Sequence, residues 1–182
     1  SSVSGGSMDA AVSTPQEEWR AGVVPRFYQV DQQWSNRKYG QSTIAEAGCG
    51  PVCLSMVYVG LTGKDNFGPE RMAEFAECGG FLDDGLTTWD LMSTGAGMLG
   101  LQSAELSADA AALQEAVSAG QPVIASMRPG TFTTTGHFIV IAGMTEDGSM
   151  IVHDPNSPER SCELWDASLI VGECANMWAF SA

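Results

Sequence analysis

The stretch Ala47-Gly48-Cys49-Gly50-Pro51-Val52-Cys53-Leu54-Ser55-Met56 decides the reading of this chain. One thiol sits between two glycines, directly ahead of Val52, Cys53, Met56, Val57 and Val59 at helical spacing. Pro51 suits a first helical turn, where its missing N–H costs nothing. The pattern predicts a helix from residue 50 to about residue 60 with Cys49 at its N-terminal end. Such an end presents unpaired N–H groups and about half a positive charge. That field favours thiolate over thiol, and the thiolate is the nucleophile. The glycines let other groups approach the sulfur. By itself the same pattern also describes a structural cysteine buried in a tight turn.

The bulk properties narrow the classes. A chain of 182 residues is one domain with room for a core. Its 44% hydrophobic and 16% charged content is ordinary for a globular protein. A formal net charge of −14 argues against nucleic acid and anionic membrane surfaces, which call for a basic patch. No apolar run reaches the roughly 18 residues a membrane span needs. The opening Ser1-Ser2-Val3-Ser4-Gly5-Gly6-Ser7 reads as a trimmed or mature fragment without a signal peptide. Export to the medium or the cell surface is the expected location. The five cysteines are Cys49, Cys53, Cys78, Cys162 and Cys174, and the histidines are His137 and His153. The set lacks the paired spacing of a zinc site, and no cofactor is expected. In an exported chain, one free thiol plus up to two disulfides fits the count, with Cys162–Cys174 as a candidate bridge.

Residues 1–22, rich in Ser, Gly and Ala, read as a flexible linker or arm, with Trp19 able to dock on the body, and 23–182 as the domain. Pro69 starts a second helix that Gly79-Gly80 stops. Thr87 or Thr88 caps a third, and Ser107 or Asp109 a fourth. The period then changes. Residues 122–127, 137–142, 149–154 and 176–180 read as strands, the second apolar on both faces. Helices first and strands later indicate an α+β fold.

A thiolate nucleophile needs a base, and the base needs an orienting partner. His137 opens the apolar strand, and Asp154 ends the next one. A four-residue loop at 145–148 sets Asp154 opposite Ile139, while a two-residue loop at Asp147-Gly148 sets it opposite Ile141. Both registers put Asp154 on the face of His137, and only the first brings them within reach, as diagonal neighbours about 7–8 Å apart. A bulge would improve the approach. His153 falls on the opposite face and is not the base. Cys53, one turn into the helix, faces the core.

The order of these motifs resembles the C39-like cysteine peptidases of the papain-like superfamily. The resemblance rests on Val24-Pro25-Arg26-Phe27-Tyr28-Gln29-Val30-Asp31-Gln32-Gln33-Trp34, Tyr39-Gly40, Gly48-Cys49-Gly50-Pro51, Gly136-His137-Phe138-Ile139-Val140 and Val152-His153-Asp154-Pro155. Gly85-Leu86-Thr87-Thr88-Trp89 and Gly120-Gln121-Pro122-Val123-Ile124 also fit. It implies a papain-like α+β fold, with the nucleophile at a helix N-terminus packed on a C-terminal antiparallel sheet. It also implies Cys49 as nucleophile, His137 as base, Asp154 as orienting acid and an upstream glutamine as oxyanion donor. Gln29 matches that position, and Gln41 is the alternative. The expected substrate is a peptide or protein, cut by a monomer. Two other readings stay open: a catalytically silent papain-like binding module, and an NlpC/P60-like cell-wall hydrolase. The loop at 129–135 either lines the cleft or is a plain connection.

Overall fold

A computed structural model describes residues 11–182. The first half carries the helices. A hairpin of β1 (Lys38–Tyr39) and β2 (Ser42–Thr43) leads into α1 (Ile44–Ala47) and, after Gly48, into the long α2 (Cys49–Thr62). Next come α3 (Pro69–Cys78), a hairpin of β3 (Leu82–Asp83) and β4 (Leu86–Thr87), and a π-turn at Leu91–Gly95 running into α4 (Ala96–Met98). Then β5 (Gln102–Glu105) and α5 (Ala110–Ser118) precede β6 (Val123–Met127), β7 (His137–Met144) and β8 (Met150–His153). Last are α6 (Pro158–Ser161), β9 (Leu164–Trp165), α7 (Ala167–Glu173) and β10 (Cys174–Ser181).

Six of the strands form one antiparallel sheet in the order β5-β10-β6-β7-β8-β9. Because strand side chains alternate faces, the sheet feeds two cores. Ile124, Phe138, Val140, Trp178 and Phe180 pack under α2, which is buried from Gly50 to Gly60. Ile139, Ile141, Met150 and Val152 pack on the other face with Leu113 of α5 and Ile170 of α7. A helix apolar on all sides needs cover on all sides, and α3 and the N-terminal segment supply it for α2. Full burial of a side chain such as Leu54 or Ile139 stabilises by about 1.5–3 kcal/mol. The mixed architecture is the α+β, papain-like arrangement expected from the sequence.

Three expectations change. Residues 11–22 pack on the body, where a flexible arm is expected: Ser13 donates its N–H to Asp31, Thr14 donates to the Arg26 carbonyl, and Trp19 stacks 5.0 Å from Phe27. The remainder of that arm, residues 1–10, lies outside the described residues. Thr87 is a strand residue, because Asp84-Gly85, both at positive φ, close a tight hairpin ahead of the third helix. All five cysteines are free thiols. The Cys162–Cys174 bridge does not form, because Cys162 is exposed behind α6 while Cys174 is buried with its Sγ donating to the Val171 carbonyl. Among the described residues no helix is long and apolar enough to cross a membrane.

Candidate active site

The hairpin of β7 and β8 sets the site. Near the turn, Met144 pairs with Met150 and Gly143 with Ile151. A bulge at Ala142 then shifts the ladder by one, so that Ile141 pairs with Val152 and Val140 with His153. Continued by one residue, that register sets Asp154 beside Ile139, on the face of His137. It is the nearer of the two predicted registers, reached through a longer turn and a compensating bulge.

His137 Nε2 and Asp154 Oδ1 lie 2.7 Å apart, with Asp154 almost fully buried. A carboxylate only accepts, so Nε2 is the donor. The other hydrogen-bond partner of His137 is Cys49, at the start of α2. No side chain caps that helix, so its first N–H groups stay available at the thiol. The start of α2, the start of β7 and the residue after β8 thus bring together the three residues singled out in the sequence.

The electrostatics follow from burial set against partners. Desolvation disfavours charge on His137, but its hydrogen bonds to Asp154 and Cys49 outweigh it and lift the pKa to about 9. Burial raises the Asp154 pKa, and His137 and Arg160 more than reverse it, holding the carboxyl below its usual range. Burial pushes the Cys53 thiol well up, with Cys49 and Asp154 adding to it, so Cys53 is an inert core thiol. His153 stands apart: its Nδ1 bonds the Pro25 carbonyl 2.9 Å away, and burial lowers its pKa to about 4.

A cleft of 350 Å³ opens over this group, lined by Gln29, Glu46, Cys49, His137, Asn156, Arg160 and the loop Phe132–Gly136. The loop at 129–135 therefore lines the cleft through residues 132–135. It is braced: Thr131 donates to Glu173 through both its N–H and its hydroxyl, and Phe132 stacks 4.6 Å from Trp165. A larger hollow of 580 Å³ lies between the N-terminal arm and α3 and holds neither Cys49 nor His137.

Gln29 is buried beside Cys49, with its NH2 donating to the Ile44 and Ala45 carbonyls at 3.1 Å each. Its Oε1 is buried without a partner. Gln41 is exposed in the β1–β2 turn and does not line the cleft. Arg160 escaped the sequence reading: its Nε donates to Asp154 Oδ2 at 2.7 Å. The available signal was Ser157-Pro158, a cap followed by a first-turn proline, which turns the chain back on Asp154.

Residues 23–179 match the peptidase C39-like family. The chain belongs to that family. Among solved structures, this C39-like chain is similar to the peptidase domain of Streptococcus ComA, described as a bi-functional ABC transporter involved in a quorum sensing pathway. The two share 21% identity at a TM-score of 0.52, over 73% of this chain and 88% of that one, a likeness of fold. No curated protein matches the chain. Membership of a C39-like family supports a cysteine peptidase-like function.

Proposed function

We propose that this C39-like chain is an active cysteine peptidase with Cys49 as nucleophile, His137 as acid and base, and Asp154 as the group that orients His137. The observation that carries the reading is the 2.7 Å bond between His137 and Asp154 in the cleft that also holds Cys49. A thiolate beside an imidazolium is ready to attack, and a His137 pKa raised to about 9 keeps the imidazole protonated at neutral pH. Cys49 sulfur bonds to the carbonyl carbon of a peptide, and the carbonyl oxygen becomes an oxyanion. His137 gives its proton to the leaving amine as the C–N bond breaks, leaving a thioester. Water, deprotonated by His137, then releases the acid and restores the thiol.

The Cys49 N–H and the Gln29 amide are the oxyanion donors in this scheme. Gln29 would turn from the Ile44 and Ala45 carbonyls as substrate arrives, in line with catalytic bonds that tighten only in the complex. That engaged amide also favours a second reading, a binding module without turnover. The family assignment argues against the NlpC/P60-like alternative. The chain acts as a monomer on peptide or protein, outside the cell or at its surface, where its acidic charge favours solubility. The free thiols lend that location no support from disulfides.

The test is iodoacetamide labelling of the native protein at about pH 6, with labelled cysteines mapped by mass, since the thiolate is the reacting form. Cys49 labels selectively, and His137→Ala abolishes the selectivity. A peptide-library screen then compares wild type with Cys49→Ala. Equal cleavage by both ends the peptidase reading, and labelling of Cys49 without any cleavage supports the binding module.

A further inference from the structure

Arg160 is the one fixed cation among the residues lining the cleft. It is held from several sides. Ser157 Oγ accepts the Arg160 N–H at 3.0 Å, and Trp165 Nε1 donates to the Arg160 carbonyl at 3.0 Å. Trp165 in turn packs on Phe132 of the cleft loop. The guanidinium Nε meets Asp154 Oδ2, while Oδ1 takes His137 Nε2 and the Asn156 N–H. Both carboxylate oxygens are thereby fixed, and the plane of the group is set toward the imidazole.

Charge gives the second argument. A thiolate, an imidazolium and a carboxylate sum to a net negative cluster, in a chain already at −14. As the thiolate attacks, its negative charge passes to the oxyanion, so the excess persists through the step. The other titratable groups facing the cluster are Glu46 from α1, Tyr39 from β1, Cys53 from α2 and Tyr28 from the N-terminal segment, none of them cationic, while Arg26 beside Tyr28 directs its guanidinium to the Ser161 carbonyl. Arg160 is the arginine bonded directly to the cluster, and its charge offsets the excess.

We propose that Arg160 is a positioning residue of this site: through Asp154 it fixes His137, and its charge makes the Cys49–His137–Asp154 cluster near neutral. The proposal rests on the peptidase reading above. Its consequence is a matter of sign. Removing the cation disfavours the thiolate and favours the imidazolium together, so both limbs of a pH profile move to higher pH. A purely structural role for Arg160 lowers stability or rate and leaves the limbs in place.

The experiment follows the rate of Cys49 alkylation by iodoacetamide from acid to alkaline pH, read by mass at Cys49, and needs no substrate. Arg160→Gln shifts the thiolate limb upward by on the order of half to one pH unit, less than the 1–3 expected of a charge in direct contact. Arg160→Lys keeps the charge and holds the limb within a few tenths. Arg160→Met is the neutral substitute if Arg160→Gln does not fold, judged by near-ultraviolet circular dichroism. An unshifted limb in the neutral variants overturns the proposal, as do equal shifts in the Gln and Lys variants. If wild-type Cys49 itself titrates like a free thiol, the peptidase reading has failed and the proposal falls with it. A low wild-type limb that ignores Arg160 removes only the proposal.

Discussion

His153 makes this protein acid-sensitive in one particular window. Its imidazole is buried at the end of β8, and Nδ1–H donates to the Pro25 carbonyl. Burial lowers its pKa from 6.5 to about 4, partly opposed by the Pro25 bond and helped by Arg26. The unfolded chain therefore binds the proton first as pH falls. Stability from this group is fully present above about pH 6.5 and is lost as pH falls toward 4. At about 1.4 kcal/mol for each tenfold, the loss is about 3 kcal/mol. In a chain of this size that is roughly 6–12 °C in Tm. His137 does not blur the window. Its pKa is raised to about 9, so its contribution is complete below 6.5 and is lost only as pH rises through 9. Asp154, shifted below its usual range, acts at lower pH still. Urea unfolding at pH 7 and at pH 4 compares wild type with His153→Asn, whose amide N–H takes the place of Nδ1–H. Carboxylates common to both proteins cancel in the difference. Wild type should lose about 3 kcal/mol more than the variant between the two pH values. A difference below about 1 kcal/mol would refute the argument that buried, neutral His153 anchors the Pro25 segment.

Other perturbations test the site itself. Asp154→Asn removes the main support of the His137 charge, so burial dominates and Cys49 alkylation at neutral pH falls by roughly 100-fold or more, measured as an initial rate. Gln29→Ala separates two roles. If the amide serves the oxyanion, kcat drops about 10²–10³-fold with KM little changed, whereas a brace for α1 alone would register as a lower Tm. Gly50→Ala places a Cβ 2.7 Å from Thr87 Cγ2, and the overpacking should cost about 1–3 kcal/mol by urea titration and slow Cys49 labelling.

Much of the site was legible because its elements carry strong periodic signals. The apolar run after Cys49 could only be a buried helix, and it runs from Cys49 to Thr62. The apolar run in residues 137–142, unbroken on both faces, marked a central strand, and strand parity placed Asp154 with His137 and His153 away from it. The misses have physical causes. Strand β5 reads Gln-Ser-Ala-Glu and lies at an exposed sheet edge, where no apolar alternation is required. Helix α7 has seven residues, too few for a clear 3.6-residue period. The Asp84-Gly85 turn was a readable hairpin signal overshadowed by the threonines after it. Arg160 lay hidden because its partner is set by a short turn after β8, a contact that periodicity does not encode.

The bulge at Ala142 has a consequence for how the chain finds its fold. The β7–β8 hairpin has a second, unbulged ladder one residue away, in which Ile141 would face His153 and Val140 would face Asp154. That ladder forms one more regular pair, and nothing in the turn forbids it. Its cost lies in the side chains: His153 would enter the core of Ile139 and Ile141, and Asp154 would sit as a lone carboxylate under α2. Two polar residues thus proofread the register during folding. The aspartate assigned to steer His137 also rejects the misfolded hairpin in which it could not do so.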